Sequence, residues 1–115
     1  MDTVLNPEAL QDCRNRDVMA AKLAALSHPA RLKILQHLAA VEACCCKDVV
    51  DQLHLAQSTV SQHLKVLVES GLVRFTPDSR RSRYEVNGEE VRALAESVNG
   101  LLTSCCGAPI REGAD

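Results

Sequence analysis

The six cysteines of this 115-residue chain occupy only three places: Cys13, the run Cys44-Cys45-Cys46, and the pair Cys105-Cys106. Cysteines that serve as small core hydrophobes are usually scattered, one to a packing site. Adjacent thiols are poor core material, but they can converge on a soft, thiol-seeking ion. Cys44 to Cys46 precede the start of an expected helix and neighbour Lys47, and both features favour thiolate. Trivalent arsenic or antimony takes sulfurs in a pyramid, and consecutive side chains of an extended run point to opposite faces. Two thiols from one cluster and one from the other meet that geometry with less strain than three neighbours do. The expected metal ligands are therefore Cys44, Cys45, Cys46, Cys105 and Cys106, converging within one chain or across a dimer. A monomethyl arsenical, which needs only two sulfurs, fits Cys105-Cys106 alone. Cys13 reads as an incidental small hydrophobe, and His28, His37 and His54 as surface or capping residues.

A second chemistry lies between the clusters. Gln57, Ser58, Thr59, Ser61, Gln62, His63 and Lys65 alternate with apolar positions on one expected helix. Such side chains donate to and accept from base edges in a major groove, and Lys65 suits a phosphate. From His54 to Val86 five basic residues face three acids, a local excess of +2 in a chain whose net charge is −2. Arg80, Arg81 and Arg83 concentrate that excess in one turn and its exit. A polar helix face alone is the ordinary solvated side of an amphipathic helix. A polar helix followed directly by a basic hairpin points to duplex DNA.

The elements that must position these residues follow from periodicity and punctuation. Asp17 to Leu26 repeats apolar residues at helical spacing. Pro29 opens a second helix capped by Ser27 or His28, with Leu32, Ile34, Leu35 and Leu38 on its core face. A short helix from about Lys47 to Leu53 turns inward Val49, Val50 and Leu53. The three-residue turn His54-Leu55-Ala56 leads to a helix over Gln57 to Ser70 that Gly71 stops, and the pair forms a helix-turn-helix. Leu72 to Thr76 and Ser82 to Val86 are expected strands joined through Pro77, Asp78 and Ser79, which makes a hairpin or wing. Asn87 caps a last helix, and Glu90 three residues on completes a capping box. Its stripe of Val91, Leu94, Ala95, Val98, Leu101 and Leu102 needs a partner surface, which a second copy can supply. The fold class is mainly α with a small β-hairpin, a dimeric winged helix-turn-helix. Residues 1–14 are expected as an N-terminal arm or short dimerisation helix, 15–104 as the DNA-binding and dimerisation domain, and 105–115 as a flexible cysteine-bearing tail.

Composition bounds the rest. The hydrophobic share of 46% and charged share of 24% are those of a globular protein. Phe75 and Tyr84 are its only aromatic residues, so Leu, Val and Ala must build the core. No apolar run approaches a membrane span, and Met1 to Asp12 lacks the layout of a signal peptide. The expected setting is the cytosol, where thiols stay reduced. A thiol enzyme is disfavoured because the chain has neither a Cys-x-x-Cys pair nor a phosphate-cradling glycine loop.

Three stretches resemble the ArsR/SmtB family of winged-helix repressors: Ser27-His28-Pro29-Ala30-Arg31-Leu32-Lys33-Ile34-Leu35, Leu55 to Leu67, and Ser70-Gly71-Leu72-Val73. The resemblance spans roughly Asp17 to Leu102. It implies a homodimer on a near-palindromic double-stranded operator, an interface made by the first and last helices, and repression that an effector relieves. His28 stands where the family usually has Asp, and Ala56 where it usually has Ser. Zinc sensors of this type use Asp and His on the C-terminal helix, but Gly88 to Thr103 contains neither. The arsenic-sensing branch carries Cys-Val-Cys-Asp-Leu-Cys. Aligned on Asp48, its first cysteine falls on Cys45, its second on Lys47 and its third on Val50. The sulfurs have moved, so the motif is only partly present. The expected activity is DNA-binding repression relieved by As(III) or Sb(III) on cysteine thiolates, with no catalytic cofactor and no organic substrate. A redox or persulfide sensor, and a cadmium-, lead- or zinc-responsive repressor, remain the alternatives.

Overall fold

The computed structural model describes residues 7–41, 45–77 and 82–107, with side chains from Asn15 onward. Five helices and one hairpin follow in order: α1 (Pro7–Leu26), α2 (Pro29–Ala40), α3 (Cys46–Leu53), α4 (Gln57–Glu69), β1 (Val73–Thr76), β2 (Arg83–Val86) and α5 (Gly88–Cys105). The expectations for Cys44, Arg80, Arg81, the side chain of Cys13 and the tail beyond Gly107 lie outside the described residues.

Local chemistry sets each helix start. His28 is extended, and its Nδ1 accepts from the Ala30 N–H at 3.0 Å, so His28 rather than Ser27 caps α2 ahead of Pro29. Cys45 caps α3, where its N–H donates to Asp48 Oδ2 at 3.2 Å. At α5, Asn87 Oδ1 accepts from the Glu90 N–H at 3.4 Å. The reciprocal half of the expected capping box is not made. The Asn87 N–H goes instead to the Leu72 carbonyl at 2.9 Å, and the Glu90 carboxylate pairs with Lys22 of α1. Glu90 thus ties two helices together rather than closing one end.

The core forms where α2, α3, α4 and the hairpin meet. Ile34, Leu38, Val49, Val60, Leu64, Leu67 and Val73 are buried as one cluster. Leu32 is the exception to the expected α2 face. It is 49% exposed, because the inward arc runs through Ile34 and Leu38. Met19, Leu72 and Leu94 form a second cluster with Val91 and Val98 against it, joining α1 to α5. The apolar stripe of α5 is therefore half covered within the chain, and its distal Leu101 and Leu102 are exposed.

Two helix boundaries differ from the sequence expectation. α1 is continuous from Pro7 to Leu26, across the expected division between residues 14 and 15. α5 extends through Cys105, with Cys106 as its C-cap, so the cysteine pair closes a helix. The strands pair antiparallel with Phe75 opposite Tyr84 and Arg74 opposite Glu85. The two rings sit 5.0 Å apart at 44°, an aromatic cross-strand pair that stiffens the wing.

Candidate nucleic-acid interface and thiol site

α3 and α4 are linked by His54, whose φ of 58° and ψ of 36° make it a left-handed C-cap. That single residue reverses the chain, and Leu55-Ala56 carries it into α4. Val60, Leu64 and Leu67 anchor α4 in the core. With those three inward, Gln57, Ser58, Thr59, Ser61, Gln62 and Lys65 are all exposed. The helix is held by its apolar edge and offers a polar edge outward, the arrangement that a groove-reading helix requires. Arg83 is exposed at the start of β2.

His63 departs from the other polar positions. It is half-buried and turned toward α2, where its ring lies 4.5 Å from that of His28 at 54°. Burial first, then His28 and Arg31, hold the His63 imidazole below its ordinary value of 6.5. The sequence grouped His63 with the base-facing residues, and nothing in α4 alone marks it as different. The contact with α2 is tertiary.

Cys45 is buried and Cys46 half-buried at the head of α3. Together with Lys47, Ser82 and Tyr84 they line an open cleft of about 320 Å³ between α3 and the wing. Burial and the neighbouring Cys45 push the Cys46 thiol up, opposed by a hydrogen bond with Ser61. This corrects the expectation that the helix terminus and Lys47 hold Cys46 as thiolate: for a thiol inside the fold, desolvation outweighs them. The Tyr84 phenol is raised as well, by burial and then by Cys46. Cys46 thus hydrogen-bonds Ser61 on α4 and acts electrostatically on Tyr84 of β2.

Cys105 and Cys106 are exposed thiols at the far end of α5. Among the described residues no group of three or more His, Cys, Asp or Glu side chains could hold a metal ion. Within one chain the described thiols therefore come together as two pairs, not as one trap. The sequence could not reveal Tyr84 and Ser82 as walls of the thiol cleft, because the hairpin that delivers them is distant in sequence from Cys45.

Comparison with known proteins fits this layout. The family described as "Bacterial regulatory protein, arsR family" matches residues 28–74, from the α2 cap to the first half of the hairpin. The "Arsenical resistance operon repressor" of Staphylococcus xylosus is 33% identical over 82 residues, 71% of this chain and 78% of that one. The "Probable mercury resistance operon repressor" of Streptomyces lividans is 33% identical over 101 residues, covering 82% of this chain and 79% of the other. The solved structure of NolR from Sinorhizobium fredii superposes with a TM-score of 0.63 at 27% identity, across 93% of this chain and 99% of that one. Among the described residues no helix is long and apolar enough to cross a membrane. The family match over the helix-turn-helix and the 33% identity to a curated repressor across most of both chains place this chain in the ArsR/SmtB family of DNA-binding transcriptional regulators.

Proposed function

We propose that this chain is a cytosolic, homodimeric repressor that leaves its operator when trivalent arsenic or antimony binds its cysteine thiolates. The observation that carries the reading is the position of Cys46. It lies at the head of α3, bonded to Ser61 of the reading helix and beside Tyr84 of the wing. Any group held by Cys45 and Cys46 sits in the cleft between α3 and the wing, directly ahead of α4. Two sulfurs come from this cleft, and a third is available from Cys44 or from the Cys105-Cys106 pair of the partner protomer. Operator contacts come from Gln57, Ser58, Thr59, Ser61, Gln62 and Lys65, with Arg80, Arg81 and Arg83 on phosphates of the adjoining groove.

A coupling of about 1–3 kcal/mol between the thiol site and DNA weakens binding roughly 5–150-fold, enough for induction. Arsenite titrated into a duplex-bound sample at fixed salt is expected to release the DNA. Release should fail in a Cys45→Ser/Cys46→Ser variant that still binds duplex. Equal release from wild type and from a variant lacking all five clustered cysteines would refute the assignment. The redox alternative draws less support from the cleft, because a thiol whose pKa is raised by burial reacts slowly with oxidants.

A further inference from the structure

We propose that His28, Arg31 and His63 form a seat for one backbone phosphate of bound duplex, at the head of α2 and apart from the outward edge of α4 and the wing. The proposal rests on the DNA-binding reading and adds a contact to it.

Three observations converge there. The two imidazoles are in ring contact at 4.5 Å, one from α2 and one from α4. Arg31, one helical step from His28, is close enough to act on His63 electrostatically. Its Nε is a buried donor without a hydrogen-bond partner. A buried charged donor left unmet is costly, so negative charge brought close to the guanidinium is favoured there. Three groups that can all carry positive charge have been gathered with no carboxylate among the causes acting on His63. An anion is the ligand that such a cluster fits.

The hydrogen bonding of His28 fixes how it would contribute. Its Nδ1 accepts from the Ala30 N–H at 3.0 Å, so in the neutral ring the proton sits on Nε2 and Nε2 is the donor. In the free protein burial, His28 and Arg31 all disfavour the charged form of His63. A phosphate on the cluster reverses that balance. It offsets Arg31, favours imidazolium and draws a proton onto the site. Phosphate contacts position a protein on a duplex without reading its sequence, so a generic duplex suffices as a probe.

The test measures affinity for a random-sequence duplex of about 30 bp against salt concentration, at about pH 6 and about pH 8. Wild type is expected to bind several-fold more tightly at the lower pH. The slope of log K on log salt should be steeper there by about 0.9, the increment of one ionic phosphate contact. In His28→Asn/His63→Gln the slope difference between the two pH values should shrink by about 0.9. Asn at position 28 keeps an N-cap acceptor, so α2 retains its start. Any pH dependence from His37 or His54 persists in that variant and is subtracted. An unchanged pH dependence in the double variant overturns the proposal while leaving the DNA-binding reading intact. The imidazole NMR signals of His28 and His63 give an independent arm. They should shift with duplex and not with millimolar inorganic phosphate at matched ionic strength. Equal shifts with both would make the cluster a free-phosphate site and overturn the duplex assignment.

Discussion

At Cys46 the decisive balance is between burial and hydrogen bonding, and burial wins. The consequence separates the candidate effectors. A divalent cation entering two thiols must expel two protons, so a raised thiol pKa weakens it and makes its binding rise with pH. Arsenious acid carries its own hydroxides. Each As–S bond that forms at a thiol releases one water, and the proton balance is closed. Arsenite-driven release of DNA is therefore expected to change little between about pH 6.5 and about pH 8, while cadmium-driven release strengthens roughly tenfold or more. A steep pH dependence with arsenite would mean that the sensing thiols are thiolates and lie elsewhere. His63 gives a second expectation. Its folded-state value lies below the ordinary 6.5, so the unfolded chain binds the extra proton and stability is lost as pH falls through 6.5 and below. The melting temperature should drop over that window, and less so in His63→Gln.

At the scale of elements, what the sequence made legible and what it hid follow one physical rule. Contacts made within a helix leave a periodic trace. The arc of Ile34 and Leu38, the spacing of Val60, Leu64 and Leu67, and the stop at Gly71, whose φ is 88°, all belong to that class. Partnerships between elements leave none. Glu90 carried the spacing of a capping box but spends its carboxylate on Lys22. His63 sat among base-facing residues but turned to His28. The thiol cleft shows the same rule: Cys45 and Cys46 were visible as a cluster, whereas Tyr84 joins them in the cleft only because β2 packs against α2. Packing sets the stability of this unit. Leu64 is fully buried between α4 and the α2–α3 layer, so Leu64→Ala is expected to cost about 2–5 kcal/mol in urea unfolding. The exposed ion pair between Arg74 and Glu85, at 3.8 Å across the hairpin, should contribute at most about 1 kcal/mol. Arg74→Ala is accordingly expected to leave the urea midpoint nearly unchanged, and a loss comparable to Leu64→Ala would show that the wing, not the helical core, limits stability.

For the whole molecule the open question is what covers the distal half of α5. Val91, Leu94 and Val98 are satisfied within the chain by Met19 and Leu72. Leu101 at 40% and Leu102 at 57% exposure continue the same stripe, and Val18 and Leu23 are exposed apolar residues of α1. Apolar residues on two adjacent antiparallel-packed helices form a surface that a second copy can meet with its own equivalent, as an isologous interface requires. Such an interface would also fix the separation of two reading helices, which must match half-sites about 34–36 Å apart. Leu101→Glu/Leu102→Glu removes the strip without touching either buried cluster. The variant is expected to sediment as a folded monomer with an unchanged helical signal. Its affinity for operator duplex should fall by roughly 100-fold or more, since paired half-sites bind with an avidity of about 10²–10⁴ over one. The separation of the described thiols into two pairs, Cys45-Cys46 at α3 and Cys105-Cys106 at α5, gives the same variant a second use. If the third thiol crosses the dimer, the monomer should lose tight arsenite binding along with DNA; if it keeps three-sulfur coordination by X-ray absorption, the trap is built within one protomer.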